Sequence, residues 1–240
     1  MSEAIVIENL TKYYDKFLAL DRLNLRVSAN ENVGLLGPNG AGKSTTLKIL
    51  CGLIRASSGK AYIDGIDVAI KPEQALSKIG AIVETAEFYN FLTPDEILRY
   101  LGRLRAMQGE KLKSRIKEVI HLVGLDRWID VKVEKFSRGM KQRLALAQTL
   151  LHDPPILILD EPGLGLDPRG LVEFRQIIEE VGKEKTIFFA SHQLVEVTQI
   201  CRQVAIIDHG KLLVYASIDE LEKKYKSLEG AYLELTGGVS

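Results

Sequence analysis

The stretch that decides the fold lies in the first fifth of the chain and runs Gly37-Pro38-Asn39-Gly40-Ala41-Gly42-Lys43-Ser44-Thr45. An apolar run at residues 33–36 precedes it and a run with helical spacing at residues 44–54 follows, so it joins a predicted strand to a predicted helix. Its glycines allow successive backbone N–H groups to surround a phosphate without Cβ collisions, and a helix N-terminus favours negative charge. The pattern predicts a nucleoside triphosphate site formed by residues 39–45.

Side chains suited to metal and phosphate chemistry occur in this stretch and at the end of a later apolar run. Lys43 is placed to reach the outer phosphates, and the Ser44 hydroxyl is a suitable Mg²⁺ ligand. Asp160 and Glu161 follow the run at residues 156–159, at the strand end where open α/β sheets bind ligands. We expect Asp160 to hold Mg²⁺ beside Ser44, directly or through water, and Glu161 to orient or deprotonate the attacking water.

Two further positions are candidate phosphate contacts. His192 follows the next apolar run, at residues 186–190, and an imidazole there is suited to contact a γ-phosphate. Ser137 and Gly139 stand at the start of a predicted helix, which indicates a second anion site. Because one chain needs only one phosphate cradle, we expect the second site to serve another molecule.

Composition bounds the classes of function. Lys+Arg and Asp+Glu both number 32 in 240 residues, so the charge gives no support to nucleic-acid binding. The first residues carry no basic, apolar leader, and no apolar stretch approaches the roughly 18–20 residues that span a bilayer. Cys51 and Cys201 lie in apolar helical contexts, as reduced core thiols do. We expect a soluble cytosolic chain whose membrane work belongs to another chain.

The hydrophobic pattern divides the chain into strand-rich and helix-rich regions. Thr93-Pro94-Asp95-Glu96 is a capping-box helix start, and Gly124 follows an amphipathic run where a helix-ending glycine belongs. A second hairpin is predicted around residues 208–211, and a short polar helix is predicted from Ser217. We therefore predict one domain over residues 1–240, comprising an α/β core (1–84 and 151–216), an inserted helical lobe (85–150) and a C-terminal tail (217–240).

With these features in this order, the chain resembles the nucleotide-binding subunit of ATP-binding cassette (ABC) transporters over essentially its full length. The matches are Walker A at residues 37–45, Walker B at 156–161, the D-loop at 164–167, the signature at 137–140, the switch histidine at His192 and the adenine-stacking aromatic at Tyr14. Tyr13 is a second candidate for adenine, and the spacing favours Tyr14. The resemblance implies a P-loop NTPase fold of the ABC ATPase type. Such a fold is α/β, with a mostly parallel core sheet, an antiparallel β subdomain and an inserted helical lobe.

The resemblance also implies functions for individual residues. ATP and Mg²⁺ are the expected cofactors, with Lys43, Glu161 and His192 as catalytic residues and Ser44, Asp160 and Glu84 as metal ligands. Glu84 stands where the family has a glutamine, and a carboxylate coordinates Mg²⁺ but does not donate a hydrogen bond. The signature departs from Leu-Ser-Gly-Gly-Gln, because it is Phe136-Ser137-Arg138-Gly139-Met140 here, and Leu164 replaces a polar residue.

The implied assembly is a head-to-tail dimer around two ATP molecules. Each site would pair residues 37–45 of one chain with Ser137 and Gly139 of the other, and both a homodimer and a heterodimer with a related subunit are compatible with the sequence. Integral membrane permease subunits would dock near Phe88, Tyr89 and Phe91, at the cytoplasmic face of the membrane. Residues 79–93 and 228–236 resemble the branch that serves exporters of drugs, peptide antibiotics, sodium or polysaccharides.

Other classes stay open at the level of sequence. A soluble ABC-type ATPase acting on nucleic acid or the ribosome is the main alternative, but its usual coiled-coil insertion, zinc site or second cassette is absent from the sequence. A P-loop GTPase is less well supported, because no Asn-Lys-x-Asp guanine-binding motif occurs. A non-hydrolysing regulatory module is disfavoured by the presence of Glu161 and His192.

Overall fold

The computed structural model of the chain describes residues 2–84 and 86–237. Its strands are β1 (Glu3–Tyr14), β2 (Phe17–Ser28), β3 (Asn32–Leu36), β4 (Ser58–Ile63), β5 (Ile66–Asp67), β6 (Ile79–Ile82), β7 (Ile156–Asp160), β8 (Thr186–Ser191), β9 (Gln203–Asp208) and β10 (Lys211–Ser217). Its helices are α1 (Lys43–Leu50), α2 (Pro72–Ser77), α3 (Pro94–Leu104), α4 (Gly109–Leu122), α5 (Arg138–Leu150), α6 (Pro168–Val181), α7 (Leu194–Ile200), α8 (Ile218–Tyr225) and α9 (Leu228–Leu235).

The strands form two sheets of different kinds. The larger sheet has the order β10-β9-β3-β8-β7-β6, and its neighbours are parallel except for the β9–β10 hairpin. The other sheet has the order β2-β1-β4-β5 and is antiparallel throughout. The predicted combination of a mostly parallel core sheet with an antiparallel β subdomain is confirmed.

The burial of the strands follows their sequences. Every residue of β7 and β8 is buried, as expected for parallel strands covered on both faces. The turn between β4 and β5, within the antiparallel sheet, has a clear local signal. There Asp64 and Gly65 both have positive φ, at 49° and 74°, as the tight hairpin turn requires.

The residues between β6 and β7 form helices in the described part of the chain. Thr93 caps α3 with the predicted capping box, and Gly124, with φ of 64°, lies just beyond the end of α4. These helices share one hydrophobic cluster with the large sheet, since Leu98, Leu112 and Leu144 belong to the same cluster as Leu157 and Phe189. The helical insertion is therefore packed onto the core sheet.

Two helix predictions differ from the structure. Helix α1 ends at Leu50 and does not continue to residue 54, because Gly52, with φ of 66°, breaks the helical path. The segment from residue 217, predicted as one short helix and a tail, forms both α8 and α9. Their residues Ile218, Leu221, Leu228 and Ala231 are buried in the cluster that covers the large sheet.

Within residues 2–84 and 86–237, no helix combines the length and the apolar composition that crossing a bilayer requires.

Candidate active site

The loop between β3 and α1 has a conformation that several glycines make possible. Gly40 and Gly42 have φ of 83° and 106°, in the region that favours glycine. A Cβ on Gly37 would lie 2.3 Å from the carbonyl oxygen of Ile207, and one on Gly42 would lie 2.6 Å from Leu20 Cδ2. The loop is therefore held against β9 and β2 with no room for side chains at these positions.

Lys43 is the buried cation of this loop. It is 6% exposed, and its Nζ donates to the carbonyl oxygens of Gly37 at 2.6 Å and Pro38 at 3.1 Å. Burial lowers the pKa of Lys43, and the nearby carboxylates of Glu161 and Asp160 oppose that shift. The ammonium group of Lys43 therefore lies inside the loop. Phosphate oxygens can replace its two carbonyl partners, because hydrogen bonds between two charged groups are stronger than those to neutral carbonyls.

Asp160 ends β7 beside the same loop. It is 9% exposed, and its Oδ1 has no hydrogen-bond partner within the described residues. Burial raises the pKa of Asp160, while a hydrogen bond with the Ser44 side chain lowers it. A buried carboxylate oxygen without a partner next to a hydroxyl is a suitable half-site for a hard cation such as Mg²⁺.

Glu161 is held in an unusual backbone conformation next to His192. Its φ is 46°, its backbone N–H donates to the carbonyl oxygen of Ala190 at 2.9 Å, and its Oε2 lies 2.5 Å from His192 Nδ1. Left-handed backbone in a non-glycine residue persists only where the surroundings enforce it, and such residues cluster at functional sites. The parallel register of β7 and β8 brings these two side chains together.

Glu84 reaches the same region from the end of β6. Its Oε1 lies 2.5 Å from Lys48 Nζ on α1, its φ is 71°, and its side chain is 67% exposed. The hydrogen bond with Glu84 raises the pKa of Lys48. The carboxylate of Glu84 therefore forms an ion pair with Lys48 of the same chain. The glutamine that is usual in the family would make only a neutral, weaker hydrogen bond with that lysine.

A cavity of about 270 Å³ brings the predicted metal ligands and the predicted base together. Its lining includes Ser44, Glu84, Asp160 and Glu161. Arg138, Lys141 and Gln142 of α5 also line it, and these were not among the residues predicted for the site. No local pattern indicates this contact, because it depends on how α5 packs beside the end of β7.

Ser137 and Gly139 are not among the described residues that line this cavity, although Arg138 between them is. The Ser137 hydroxyl is the N-cap of α5 and accepts from the backbone N–H of Met140 at 3.2 Å. Gly139 lies near Leu166, whose Cδ2 would be 3.8 Å from a Cβ built on the glycine. The structure places these two residues at a helix start outside the cavity of their own chain.

Tyr14 ends β1 and exposes 42% of its surface. The Nζ of Lys12 lies 5.1 Å from the centre of its ring, within the range of a cation–π contact. Tyr13 is 48% exposed, so exposure does not separate the two tyrosines proposed for adenine. The remaining histidines lie apart from the cavity lining: His121 and His209 are exposed, and His152 is bonded to the Ile79 carbonyl.

Comparison with known families gives a match over more than half of the chain. The ABC transporter family profile matches residues 20–163, a range that includes the glycine-rich loop, the helical insertion and the three carboxylates of the cavity. The chain belongs to the ABC transporter family. As an ATP-binding subunit of such a transporter it binds and hydrolyses ATP, and the predicted family and enzyme class are confirmed.

Curated relatives of this ABC subunit carry names from transport. It is 43% identical over 236 residues to the bacitracin transport ATP-binding protein BcrA of Bacillus licheniformis, an alignment that covers 98% of this chain and 75% of the relative. It is 34% identical over 228 residues to the ABC transporter ATP-binding protein NatA of Bacillus subtilis (strain 168), covering 92% of both chains.

Solved structures of ABC proteins have the same architecture. A structure described as the ATP-binding subunit of an ABC transporter superposes with a TM-score of 0.86 at 29% identity, covering 97% of this chain and 99% of that one. The dimeric post-hydrolysis structure of the ATP-binding cassette MJ0796 with ADP and Pi superposes with a TM-score of 0.79 at 26% identity, covering 89% and 98%. The predicted ABC ATPase fold is confirmed by these similarities.

Proposed function

We propose that Lys43, Ser44, Asp160, Glu161 and His192 are the hydrolytic centre of this ABC subunit. The observation that carries the proposal is the cavity lined by Ser44 of the glycine-rich loop, by Asp160 at the end of β7 and by Glu161. Lys43 and His192 are not among the described residues that line it. The two carboxylates raise the pKa of Lys43 against the effect of burial, and His192 Nδ1 lies 2.5 Å from Glu161 Oε2. The backbone N–H groups of residues 39–45 bind the phosphates. Lys43 exchanges its carbonyl partners for phosphate oxygens, and Tyr14 stacks on adenine.

Mg²⁺ fits the donor set of this cavity. Oδ1 of Asp160, which has no hydrogen-bond partner among the described residues, and the exposed Ser44 side chain supply oxygen ligands, and Glu84 supplies a further carboxylate in the lining of the same cavity. Within residues 2–84 and 86–237 no group of three or more His, Cys, Asp or Glu side chains is arranged to hold a metal ion. Mg²⁺ commonly binds through one or two protein carboxylates and completes its shell with phosphate and water. Bound there, Mg²⁺ would neutralise phosphate charge that develops during the reaction.

Glu161 is the general base of the proposed mechanism. Its carboxylate accepts the proton of the attacking water, while His192, at 2.5 Å from Oε2, fixes the rotamer of the base and faces the γ-phosphate position. The Glu161 side chain is 22% exposed and lines the cavity, and its partner His192 is 41% exposed at the side chain. The residue that accepts the proton, Glu161, and the residue that positions it, His192, thus follow the neighbouring strands β7 and β8.

Ser137 and Gly139, the remaining candidate site residues, act in the dimer. Ser137 and Gly139 would contact the γ-phosphate bound by a second subunit in a head-to-tail dimer. Their position outside the cavity of their own chain supports this, as does the dimeric state of the similar MJ0796 cassette. In this proposal residues 1–84 and 151–216 bind nucleotide, and the lobe at 85–150 presents Ser137 and Gly139 to the partner. The segment from residue 217 covers the core.

The subunit would work at the cytoplasmic face of a membrane, attached to integral membrane permease subunits. Tyr89 and Phe91 are 68% and 64% exposed and their ring centres are 5.7 Å apart, so they offer an apolar contact surface before the start of α3. Phe88 is partly buried and packs against the hydrophobic cluster that the helices share with the large sheet. The names of BcrA and NatA, which refer to bacitracin transport and to an ABC transporter, support a role in exporting small compounds.

Glu161→Gln tests the proposed base. The variant should still bind ATP, because Gln preserves size and the loop is unchanged, but its turnover should fall by about 10²–10⁴-fold. Stalled hydrolysis should also trap an ATP-dependent dimer, measured by size-exclusion chromatography with light scattering. Glu180→Gln, an exposed change on α6, is the matched control and should retain wild-type turnover. Normal turnover in Glu161→Gln would contradict the assignment of the base.

A further inference from the structure

The segment that follows the proposed base contains two glycines, Gly163 and Gly165. The space that a side chain would need at each of them is occupied by a polar side chain from another element, Glu196 or Arg138. We call residues 161–167 the base loop. It starts at Glu161, and its own hydrogen bonds run from the N–H of Leu164 to the oxygen of Glu161 at 3.0 Å and from the N–H of Leu166 to the oxygen of Gly163 at 3.2 Å. These two turns do not explain why Glu161 keeps a left-handed φ of 46°.

Glu196 of α7 occupies the space beside Gly163. A Cβ on Gly163 would lie 2.1 Å from Glu196 Oε1 and 2.8 Å from Leu171 Cδ2. Gly163 does not have the left-handed backbone that favours glycine, so the space taken by these side chains is the reason for a glycine there. The absence of a side chain lets a buried carboxyl group pack directly on the loop backbone.

The carboxyl group of Glu196 is fixed from its other side. Glu196 is 8% exposed, and its Oε2 accepts from Ser191 Oγ at 2.9 Å, while that same oxygen of Ser191 accepts from the N–H of Gln193 at 3.0 Å. Oε1 has no hydrogen-bond partner among the described residues. Since Ser191 and Gln193 flank His192, Glu196 connects the histidine segment to the base loop.

Arg138 of α5 packs on the second glycine. A Cβ on Gly165 would lie 2.1 Å from both Cζ and Nη1 of Arg138, and Gly165 has a φ of 75°. A planar guanidinium lies flat on such a bare backbone surface in a way that a lysine ammonium does not. Because Arg138 also lines the cavity that contains Glu161, it joins the start of α5 to the base loop within one chain.

We propose that Glu196 and Arg138 are positioning residues that hold the base loop at Gly163 and Gly165 and so keep Glu161 in its left-handed conformation beside His192. The proposal rests on the assignment of Glu161 as the base and adds two residues that act on it through the base loop. Arg138 departs from the usual family signature, and the proposal gives it a function within its own chain, which is to hold the base loop at Gly165.

Hydrogen exchange of the base loop, followed by mass spectrometry, tests the proposal in Glu196→Ala, Arg138→Ala and the double variant. Exchange of the peptide that contains Leu164 and Leu166 should accelerate by about tenfold in each single variant, because a contact that stabilises the closed loop is lost. The kcat for ATP should fall by about 10-fold to 100-fold with KM changed less than about twofold, since a displaced base affects turnover more than binding.

Arg138→Lys separates charge from shape. It retains the charge without the planar contact and should resemble Arg138→Ala in loop exchange. Arg26→Ala and Glu180→Gln remove exposed charges elsewhere and should change neither loop exchange nor kcat. Circular dichroism melting confirms that each variant is folded.

Unchanged exchange of the base loop in both Glu196→Ala and Arg138→Ala would overturn the proposal. The exchange readout does not use the chemistry of Glu161. If Glu161→Gln retained turnover, the base would be wrong while the exchange data would still decide whether the loop is held by these two residues.

Discussion

His152 is a partly buried titratable residue outside the active site. It lies between α5 and β7, and its Nε2 donates to the carbonyl oxygen of Ile79 at 3.0 Å. Burial lowers its pKa from 6.5 to about 4, and the nearby positive charge of Arg105 adds to that shift. Lys185 also lowers the pKa, while Asp153 and the hydrogen bond to Ile79 raise it. The ring is therefore neutral in the folded protein at neutral pH.

This depressed pKa predicts an acid-dependent loss of stability. Between about pH 6.5 and 4 the unfolded chain binds a proton that the folded chain does not, so the contribution of His152 to stability falls as pH falls. Lowering the pH from 7.5 to 5 should remove about 1–2 kcal/mol through this group. Urea unfolding at both pH values measures it.

The matched variant for this prediction is His152→Gln, which keeps an N–H for Ile79 and does not titrate. Its stability should fall less between the two pH values than that of the wild-type protein. His121→Gln, at a side chain that is 83% exposed, should leave the difference as it is in the wild-type protein. Equal pH dependence in the wild-type protein and His152→Gln would refute the assignment.

At the scale of elements, α9 shows how tertiary packing defines a helix that its sequence signals weakly. Ser227 caps it by accepting from the N–H of Gly230 at 2.9 Å, but Gly230 occupies the position where a capping-box glutamate would stand. A Cβ on Gly230 would lie 2.5 Å from the Tyr225 carbonyl oxygen, so close approach of α8 requires the glycine. The turn between the helices uses Lys226 with φ of 69° in place of glycine.

Leu228→Ala tests the importance of α9 packing. Leu228 is 2% exposed within the main hydrophobic cluster, so its truncation should lower the free energy of unfolding by about 2–5 kcal/mol. Glu234→Ala on the exposed face of α9 should change it by less than about 0.5 kcal/mol. Urea denaturation measures both variants, and equal stability would show that α9 does not contribute to the folded core.

At the scale of the whole molecule, the exposed aromatic pair Tyr89 and Phe91 lies at the entrance of the helical insertion. Substituting both with alanine should reduce capture of membrane subunits by tagged protein from detergent-solubilised native membranes by about tenfold or more, because central aromatic contacts dominate interfaces. ATP binding should be unaffected. Quantitative mass spectrometry of the captured proteins gives the measurement.

Phe17→Ala is the control for this experiment, since Phe17 is 63% exposed on the antiparallel sheet. It should leave capture unchanged. Undiminished recovery of a polytopic membrane protein by the Tyr89→Ala, Phe91→Ala variant would place the docking surface elsewhere. Recovery of only soluble partners by the unmodified chain would favour the alternative class of soluble ABC-type ATPases.

Much of the fold and part of the site could be predicted from local sequence. The glycine spacing in residues 37–45 requires a tight phosphate-binding turn, the apolar run of β7 requires burial on both faces, and the caps at Thr93 and Ser217 define helix starts. Each of these patterns determines the conformation or burial of residues that lie within a few positions of it in the sequence. They determined the family and the candidates Lys43, Asp160, Glu161 and His192.

Only the tertiary structure decided which distant side chains meet. The pairing of Glu84 with Lys48 depends on β6 ending beside α1, and the contacts of Arg138 and Glu196 with the base loop depend on α5 and α7 packing at the same strand ends. Such contacts follow from strand order and helix packing, which no short pattern encodes. The sequence therefore determined the chemistry available to this subunit, and the packing of its sheet and helices decided how that chemistry is positioned.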